Sequence, residues 1–409
     1  MLFRSMQCVR KVTDDLFWVG ANDKRLHLFE SIHPIDGVGV SYNSYLLLDD
    51  KTVLFDTADW SVGQQFMENV EYVLNGRKLD YLVVNHLEPD HAASISEVVL
   101  RYPDVKVVST EKAWLLMNQF RFPVEEENFI QVTEGDEMSF GRHKIAFVAA
   151  PMVHWPEVMV SFDVTDGVLF SADAFGTFKS LDGALFADEV DFKGKWIDEA
   201  RRYYTNIVGK YGTQVMALLK KAAKLDIRYI CPLHGPVWRK DIDWFIDKHV
   251  HWATYTPEEK GVLIVYASMY GNTMSAANIL ASKLHEKGFH NVRMYDIAET
   301  HVSFLIGEAF KYSHLALLSV TYNLNIFPPM QNFIDDMKRL NLQKRVVGVV
   351  ENGSWAPQAA ELMCRAFDDM KQMTVLNEQV SILSSLTDAT ENELEGLADS
   401  IIESMNQDY

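Results

Sequence analysis

Cysteine is scarce in this chain of 409 residues, which contains three, Cys8, Cys231 and Cys364. They are isolated from one another and odd in number, so they exclude a disulfide framework and a CxxC metal site. A chain with so few thiols in such an arrangement is typical of a reducing compartment. A cytoplasmic location is therefore expected.

The chain also has fewer basic than acidic residues, and it has no long apolar run. The chain has 38 Lys and Arg against 57 Asp and Glu, which gives a formal net charge of -19. Because phosphate binding needs clustered basic side chains, this balance argues against a nucleic-acid partner. No apolar run reaches membrane-spanning length, and none follows the basic residues of positions 1–14, so we expect no membrane span and no signal peptide.

The compositional change along the chain lies at a short polar stretch with a proline, residues 255–260. It separates two kinds of sequence, each long enough to form its own core. Short strands and turns open the first part, whereas the second repeats strand, glycine-containing loop and helix. We therefore predict two α/β domains, at residues 1–255 and 260–409.

Four potential metal ligands follow the apolar run of residues 81–84, which has the length and β-branched content of a buried strand. They are His86, Glu88, Asp90 and His91. We interpret them as lying on the loop that ends this strand, where open α/β folds place their chemistry. For this loop alone, a polar and solvated turn is an equally good interpretation.

The same arrangement recurs at three later strands. Residues 144–150, 167–170 and 227–231 each read as a strand, and the candidate ligands that follow them are His154, Asp173 and His234. A single histidine after a strand is more often structural than a metal ligand. Four strand ends that each deliver a histidine or a carboxylate make a metal centre the better interpretation.

The second part carries a phosphate-binding pattern between a strand at 262–267 and a helix from about residue 274 to 287. The connecting loop is Ser268, Met269, Tyr270, Gly271, Asn272 and Thr273. Free backbone N–H groups at a helix N-terminus favour an anion, and the absence of a lysine excludes a Walker motif. The alternative is a helix start capped by its own Ser or Thr.

Two further strand ends carry aromatic and amide groups that suit a flat ring. One group follows residues 315–320 and the other follows residues 346–350, and together they comprise Thr321, Tyr322, Asn323, Asn325, Gly353, Ser354 and Trp355. Three loops at the carboxyl ends of parallel strands resemble the FMN site of flavodoxin-like domains. Either Trp355 or Tyr322 could stack on the flavin, or either could be a surface aromatic.

The metal-ligand pattern resembles the metallo-β-lactamase-like fold, and Glu88 at its second position resembles the flavodiiron proteins. That resemblance runs from about residue 16 to about residue 391. It implies an N-terminal metallo-β-lactamase-like αββα sandwich followed by a flavodoxin-like doubly wound parallel sheet. The cofactors it implies are FMN and two irons per chain, and a carboxylate-rich ligand set suits iron better than a zinc pair.

The resemblance also implies roles for individual residues. His86, Glu88 and His154 would hold one iron, Asp90, His91 and His234 the other, and Asp173 would bridge them. Tyr203 and Glu30 occupy positions that the family places near the irons, although a core aromatic is as good an interpretation of Tyr203. Residues 41–45 form a familiar element of the family, but an early hairpin without a chemical role is the better interpretation of them.

The function implied by this resemblance is reduction of O2 to water, of NO to N2O, or of both. No rubredoxin-like pair of CxxC motifs follows the flavodoxin-like part, so rubredoxin or a similar carrier is the expected electron donor. A head-to-tail homodimer, or a dimer of such dimers, would set each FMN beside the partner's irons. The alternatives are a metallo-β-lactamase-like hydrolase fused to a flavodoxin-type electron-transfer module and an electron-transfer protein with a structural metal.

Overall fold

A computed structural model describes residues 7–406. The chain forms two compact units, one made of residues 7–204 and 211–249 and the other of residues 205–210 and 250–406. This agrees with the two α/β parts expected from the sequence, whereas the limits 1–255 and 260–409 stay a prediction. In the part of the chain that the structure describes, no helix combines the length and the apolar character needed to cross a membrane.

The first unit contains many short strands. In chain order they are β1 (Arg10–Lys11), β2 (Leu16–Trp18), β3 (Ala21–Asp23), β4 (Leu28–Phe29), β5 (His33–Pro34), β6 (Val40–Tyr42), β7 (Tyr45–Leu48), β8 (Thr52–Phe55), β9 (Tyr81–Val83), β10 (Lys106–Ser109), β11 (Phe129–Gln131), β12 (Glu137–Ser139), β13 (Lys144–Ala149), β14 (Met159–Asp163), β15 (Val168–Phe170) and β16 (Tyr229–Cys231). Its helices are α1 (Gly63–Leu74), α2 (Pro89–Ala92), α3 (Ile95–Arg101), α4 (Glu111–Phe120), α5 (Phe192–Lys195), α6 (Ile197–Tyr203), α7 (Gly212–Ala222) and α8 (Ile242–Ala253), whose last four residues belong to the second unit.

These strands build two larger sheets that pack against each other. One sheet has the order β1-β2-β7-β8-β9-β10-β11, and the other has the order β12-β13-β14-β15-β16. Phe55 of the first sheet stacks on Phe170 of the second, with ring centroids 3.8 Å apart. Both rings are almost inaccessible to water, so the core of this unit lies between the sheets.

The early strands pair differently from a local hairpin. β6 pairs with β3, while β7 lies between β2 and β8. The connection between β6 and β7 therefore leads from a two-stranded sheet into the large sheet. It brings residues 43 and 44 to the buried side of the fold.

The second unit is a five-stranded parallel sheet with helices on both faces. Its elements are β17 (Glu259–Tyr266), α9 (Asn272–Glu286), β18 (Val292–Asp296), α10 (Val302–Lys311), β19 (Tyr312–Tyr322), β20 (Asn325–Ile326), α11 (Pro328–Arg339), β21 (Arg345–Asn352), α12 (Ala359–Phe367), β22 (Met373–Ile382) and α13 (Asp388–Met405). The sheet order is β18-β17-β19-β21-β22, and the short β20 pairs antiparallel with β19. This is the strand order of flavodoxin-like folds.

Two apolar cores cover the two faces of this sheet. One core receives side chains from α10, α11 and α12, and the other receives them from α9 and α13. The strands read as nearly continuous apolar runs because both faces are buried. The doubly wound sheet expected for the second half is thus confirmed.

A buried cation, Arg345, ties the start of β21 to the end of α10. Its guanidinium is 1% exposed and donates hydrogen bonds to five backbone carbonyls, those of Ala309, Phe310, Tyr255, Gln343 and Lys344, at 2.7 to 3.1 Å. Two of these carbonyls belong to the last turn of α10, where helix carbonyls lack partners within the helix. Burial lowers the pKa of Arg345 to about 9, so it remains a cation near neutral pH.

Candidate metal centre and flavin site

The seven candidate ligands converge at the carboxyl ends of strands in the first unit. His86 and Glu88 follow β9, His154 follows β13, Asp173 follows β15 and His234 follows β16. Asp90 and His91 differ from the sequence interpretation, because they lie in the one-turn helix α2 and not on a loop. Pro89 is the first residue of that helix, a position where its missing N–H has no cost.

Four of these side chains form a first group, His86, Glu88, His154 and Asp173. Nε2 of His154 lies 2.9 Å from Oε2 of Glu88 and 3.2 Å from Oδ2 of Asp173. Nε2 of His86 lies 3.3 and 3.2 Å from the same two oxygens. The four ligand atoms therefore face a common centre.

A second group consists of Asp90, His91 and His234. Nε2 of His91 and Nε2 of His234 are 3.0 Å apart, and each lies 3.2 Å from Oδ2 of Asp90. Asp173 presents its other oxygen, Oδ1, 3.2 Å from Nε2 of His91. One carboxylate thus reaches both groups, which is the arrangement of a bridging ligand.

The donor set and its spacing fit a pair of metal ions. Neighbouring ligands of a metal bound at about 2.1 Å lie about 3 to 3.5 Å apart, and the distances above match that spacing. Both oxygens of Asp90 and Oδ1 of Asp173 are buried yet accept no hydrogen bond among the described residues. Buried carboxylate oxygens without donors are expected where they bind metal.

Residues outside the ligand set orient its histidines. Glu157 Oε1 lies 2.8 Å from Nδ1 of His86, and since a carboxylate only accepts, Nδ1 donates. Nδ1 of His234 donates to the carbonyl of Ser41 at 2.7 Å. With Nδ1 protonated, each ring presents the lone pair of Nε2 to the cluster. Glu157 was not singled out in the sequence, because nothing local links it to His86, 71 residues earlier.

Residues 41–45 hold the loop of His234 in place, a positioning role that the sequence pattern did not indicate. Ser41 Oγ accepts from the N–H of Gly235 at 2.7 Å. Asn43 Nδ2 donates to the carbonyls of Pro232 and Gly235, and the hydroxyl of Tyr45 donates to that of Pro232. The stretch therefore fixes the position of His234 without contributing a ligand.

Asp56 holds the start of the first ligand loop. Its Oδ1 accepts from the backbone N–H groups of Asn85 and His86, and its Oδ2 accepts from Nδ2 of Asn85. Burial raises the pKa of Asp56 to about 6, although these hydrogen bonds act in the opposite direction. Its backbone is left-handed, with φ of 54°, as is that of Ala172 beside Asp173, with φ of 51°. Such strain is common where a fold fixes the geometry of a site.

The structure places Tyr203 and Glu30 beside the cluster. Tyr203 is 1% exposed, its ring centroid is 5.3 Å from that of His234, and its hydroxyl has no hydrogen-bond partner among the described residues. A Cβ at Gly176 would lie 2.6 Å from its ring, so the tyrosine needs glycine there. Burial, followed by the charge of Glu88, raises the pKa of Glu30, and its partly exposed carboxyl group faces solvent as well as the cluster.

The loop between β17 and α9 leaves the start of that helix open. Gly271 is the N-cap, with φ of 96°, and no side chain caps the first turn. Ser268 Oγ accepts from the N–H of Gly271 at 3.1 Å and does not reach the helix. The alternative of a Ser or Thr cap is therefore wrong, and the N–H groups of the first turn, beginning at Asn272, are available to an anion.

The other two loops lie at the same edge of the sheet. Asn352 Nδ2 lies 3.4 Å from Oγ1 of Thr273, which links the end of β21 to the first turn of α9. Thr321 and Tyr322 differ from the sequence interpretation, since they belong to β19 and form a hairpin with β20. Thr321 Oγ1 accepts from the N–H groups of Gln358 and Ala359 at the start of α12.

An exposed aromatic and aliphatic rim surrounds these loops. Five large side chains in it are 40% to 90% exposed: Met269, Tyr270, Tyr322, Leu324 and Trp355. Ser354, next to the last of them, lies 2.8 Å from Ser384 through their hydroxyl oxygens. Ser384, on the segment after β22, is a further neighbour of the site that the sequence pattern did not indicate.

Comparison with known proteins relates both units to described families. The family model for the ODP family beta lactamase matches residues 40–235, and the flavodoxin model matches residues 264–377. An anaerobic nitric oxide reductase flavorubredoxin from Aeromonas hydrophila is 30% identical over 368 residues, which is 87% of this chain and 73% of that protein.

Solved structures resemble the chain over nearly its whole length. The rubredoxin oxygen:oxidoreductase of Desulfovibrio gigas superposes with a TM-score of 0.90 at 26% identity and covers 97% of this chain and 98% of that one. A flavodiiron protein from Giardia intestinalis superposes with a TM-score of 0.86, with coverage of 97% and 98%. Because its sequence is 22% identical, the Giardia intestinalis structure shows a similarity of fold alone.

Proposed function

Because the chain belongs to the flavodiiron protein family, we propose that it reduces O2 to water or NO to N2O at a pair of non-haem irons, with electrons supplied through FMN. It is an oxidoreductase whose cofactors are FMN in the flavodoxin-like domain and two irons in the metallo-β-lactamase-like domain. The similar proteins named above are an NO reductase and an O2 reductase, so both gases are candidate substrates.

The observation that carries this proposal is the bridging position of Asp173. One buried carboxylate directs Oδ2 to the first group and Oδ1 to the second, so two ions would lie close enough to act on one small molecule. We assign His86, Glu88 and His154 to one iron and Asp90, His91 and His234 to the other. When bound, the irons supply redox chemistry on the gas, and FMN supplies electrons.

The protein's own residues orient the ligands and manage protons. The Tyr203 hydroxyl is held beside His234 and has no hydrogen-bond partner within residues 7–406, so it can donate to a substrate atom in the cluster. Glu30 lies between solvent and the first group, and we assign it the delivery of protons to that side. Both gas reductions consume protons, so a partly exposed carboxyl group beside the ligands fits the chemistry.

We assign FMN to the three loops of the second unit. The uncapped start of α9 suits its phosphate, with Ser268, Met269, Tyr270, Gly271, Asn272 and Thr273 around it. The ring would lie against the other two loops, formed by Thr321, Tyr322, Asn323, Asn325, Gly353, Ser354 and Trp355. Tyr322 and Trp355 both belong to the exposed rim, and either can provide the stacking face.

We further propose that the chain acts in the cytoplasm as a head-to-tail homodimer and receives electrons from rubredoxin or a similar small carrier. The exposed apolar rim of the flavin loops supports a partner surface, since apolar patches of this kind mark protein contacts. A second chain seated there would place its irons beside this FMN. One of the similar structures is named a rubredoxin oxygen:oxidoreductase, which supports the choice of carrier.

The test is gas consumption by iron- and FMN-loaded protein with chemically reduced rubredoxin as donor. Uptake of O2 or of NO much faster than with free FMN is expected, and the ratio of the two rates identifies the preferred gas. Sedimentation of the same sample is expected to show a dimer, and a fully active monomer would contradict the proposed arrangement. If neither gas is consumed, the proposed function is wrong and a hydrolase fused to an electron-transfer module becomes the better interpretation. If the gas is consumed with another reductant but not with rubredoxin, the carrier assignment is wrong.

A further inference from the structure

Glu157 lies on the far side of His86 from the metal cluster. It is 2% exposed, and its Oε1 accepts from Nδ1 of His86 at 2.8 Å and from the N–H of Leu87 at 3.0 Å. Its Oε2 is buried and accepts no hydrogen bond among the described residues. Two donors on one oxygen fix the carboxylate against the imidazole, while Nε2 of His86 faces Glu88 and Asp173.

Among the residues that the structure describes, the second group has no counterpart of this carboxylate. Nδ1 of His234 donates to a neutral carbonyl, that of Ser41, and Nδ1 of His91 is buried without a hydrogen-bond partner in the described chain. Asp56 is the other buried carboxylate nearby, but its oxygens accept from Asn85 and from the backbone of His86, not from an imidazole. Nδ1 of His86 therefore has an anionic partner and Nδ1 of His234 has a neutral one, whereas Nδ1 of His91 has none in the described chain.

The ligand sets themselves do not distinguish the two positions. Each has two histidines and one carboxylate, and the two share Asp173. A carboxylate bonded to the far nitrogen of a ligating imidazole raises its basicity and brings negative charge near the metal. Negative charge in a buried site stabilises the more highly charged ion, because the local dielectric constant is low. A charged group behind one ligand can then make the two irons different.

We propose that Glu157 is a positioning residue that makes the two irons unequal, so that the iron at His86 keeps its ferric state more strongly than the iron at His91 and His234. In stepwise reduction of the diferric pair by dithionite, the first electron converts the iron at His91 and His234 from ferric to ferrous. The second electron then converts the iron at His86. This inference rests on the ligand assignment proposed above.

The test is a reductive titration of the iron- and FMN-loaded protein, followed through the electron paramagnetic resonance signal of the mixed-valent pair. The height of that signal gives the comproportionation constant, which measures the separation of the two one-electron potentials. Glu157→Gln keeps the shape and an acceptor oxygen for His86 but removes the charge. We expect its comproportionation constant to fall about tenfold, equivalent to about 59 mV for a one-electron step.

Asp163→Asn is the matched control. Asp163 is buried to a similar degree, and its Oδ2 lies 2.7 Å from Nδ1 of His143, outside the seven ligands. This variant loses the same charge from the same kind of pair, and its comproportionation constant should equal that of the wild type. A fall in both variants alike would overturn the assignment to Glu157.

Glu157→Asp separates charge from shape. A constant nearer to the wild-type value than that of iron-replete Glu157→Gln supports the role of charge. Where Glu157→Gln loses iron, a constant close to the wild-type value in iron-replete Glu157→Asp supports it. An unchanged constant in an iron-replete Glu157→Gln overturns the inference, as does equal loss of iron from both variants. Failure of the ligand assignment would give a different result from failure of the Glu157 inference. In that case the wild-type protein itself would not hold two irons per chain.

Discussion

An Asp173→Ala variant is expected to lose at least one of its two irons and to reduce gas on the order of 10³-fold more slowly, about 4 kcal/mol of transition-state stabilisation. Asp173 is 2% exposed, and its two oxygens lie 3.2 Å from histidine nitrogens of both groups. Without it, four buried histidines lose a carboxylate whose oxygens lie 3.2 to 3.7 Å from their Nε2 atoms. Iron analysis and gas uptake with reduced rubredoxin measure the effect.

The FMN content of Asp173→Ala should stay at the wild-type level, because the flavin loops belong to the other unit. Its reduced flavin should then react directly with O2, so residual oxygen uptake should appear as peroxide. Asp163→Asn serves again as the control and should keep both irons. An Asp173→Ala protein with full iron and full activity would show that Asp173 is not a bridging ligand.

An Arg345→Met variant is expected to lower the free energy of unfolding of the flavodoxin-like unit by about 3 to 5 kcal/mol. Methionine fills much of the same space, so the loss would come from hydrogen bonds and not from a cavity. Five carbonyls that now accept from one guanidinium would lose that donor, two of them at the end of α10. Chemical denaturation of FMN-loaded protein measures the change.

Arg339→Met provides the comparison in the same unit. Its side chain is 69% exposed and pairs with Asp336 on the same helix, so its removal should change stability by less than about 0.5 kcal/mol. Equal denaturation midpoints for the two variants would show that the buried guanidinium contributes no more than a surface one. Arg345→Lys should lie between them, since an ammonium cannot reach five carbonyls at once.

The candidate ligands could be picked out from the sequence because each follows a short apolar run. The runs at 81–84, 144–150 and 227–231 correspond to β9, β13 and β16, and each strand end has the polar residue that the pattern indicated. The strand β9 belongs to the seven-stranded sheet, whereas β13 and β16 belong to the five-stranded sheet, so these strand ends meet because the two sheets pack face to face. The parallel sheet of the second unit could be predicted from its alternating strands and helices, whereas its strand order could not.

The partners of those ligands could not be predicted, because they depend on contacts distant in sequence. Glu157 meets His86 across 71 positions, and Ser41 meets His234 across 193. A single glutamate or serine carries no local signal for such a contact. For the same reason, the pairing of β6 with β3, and not with its neighbour β7, could not be predicted.

Short elements were also beyond the sequence pattern. The helix α2 has four residues, too few to show a helical period, so Asp90 and His91 were interpreted as loop residues. The turn after Tyr322 uses a left-handed Leu324, with φ of 58°, beside a left-handed Asn323. Leucine is not a residue that marks such a turn, and the hairpin of β19 and β20 was therefore missed.

The most direct test of the account is the electron count of a single anaerobic titration. The wild-type protein is reduced by four electrons per chain, two on FMN and two on the irons, and is then titrated with O2 or NO until it is fully reoxidised. Each chain should consume one O2 without release of peroxide, or four NO with formation of two N2O. Peroxide formed in proportion to flavin, with the irons left reduced or absent, would contradict it.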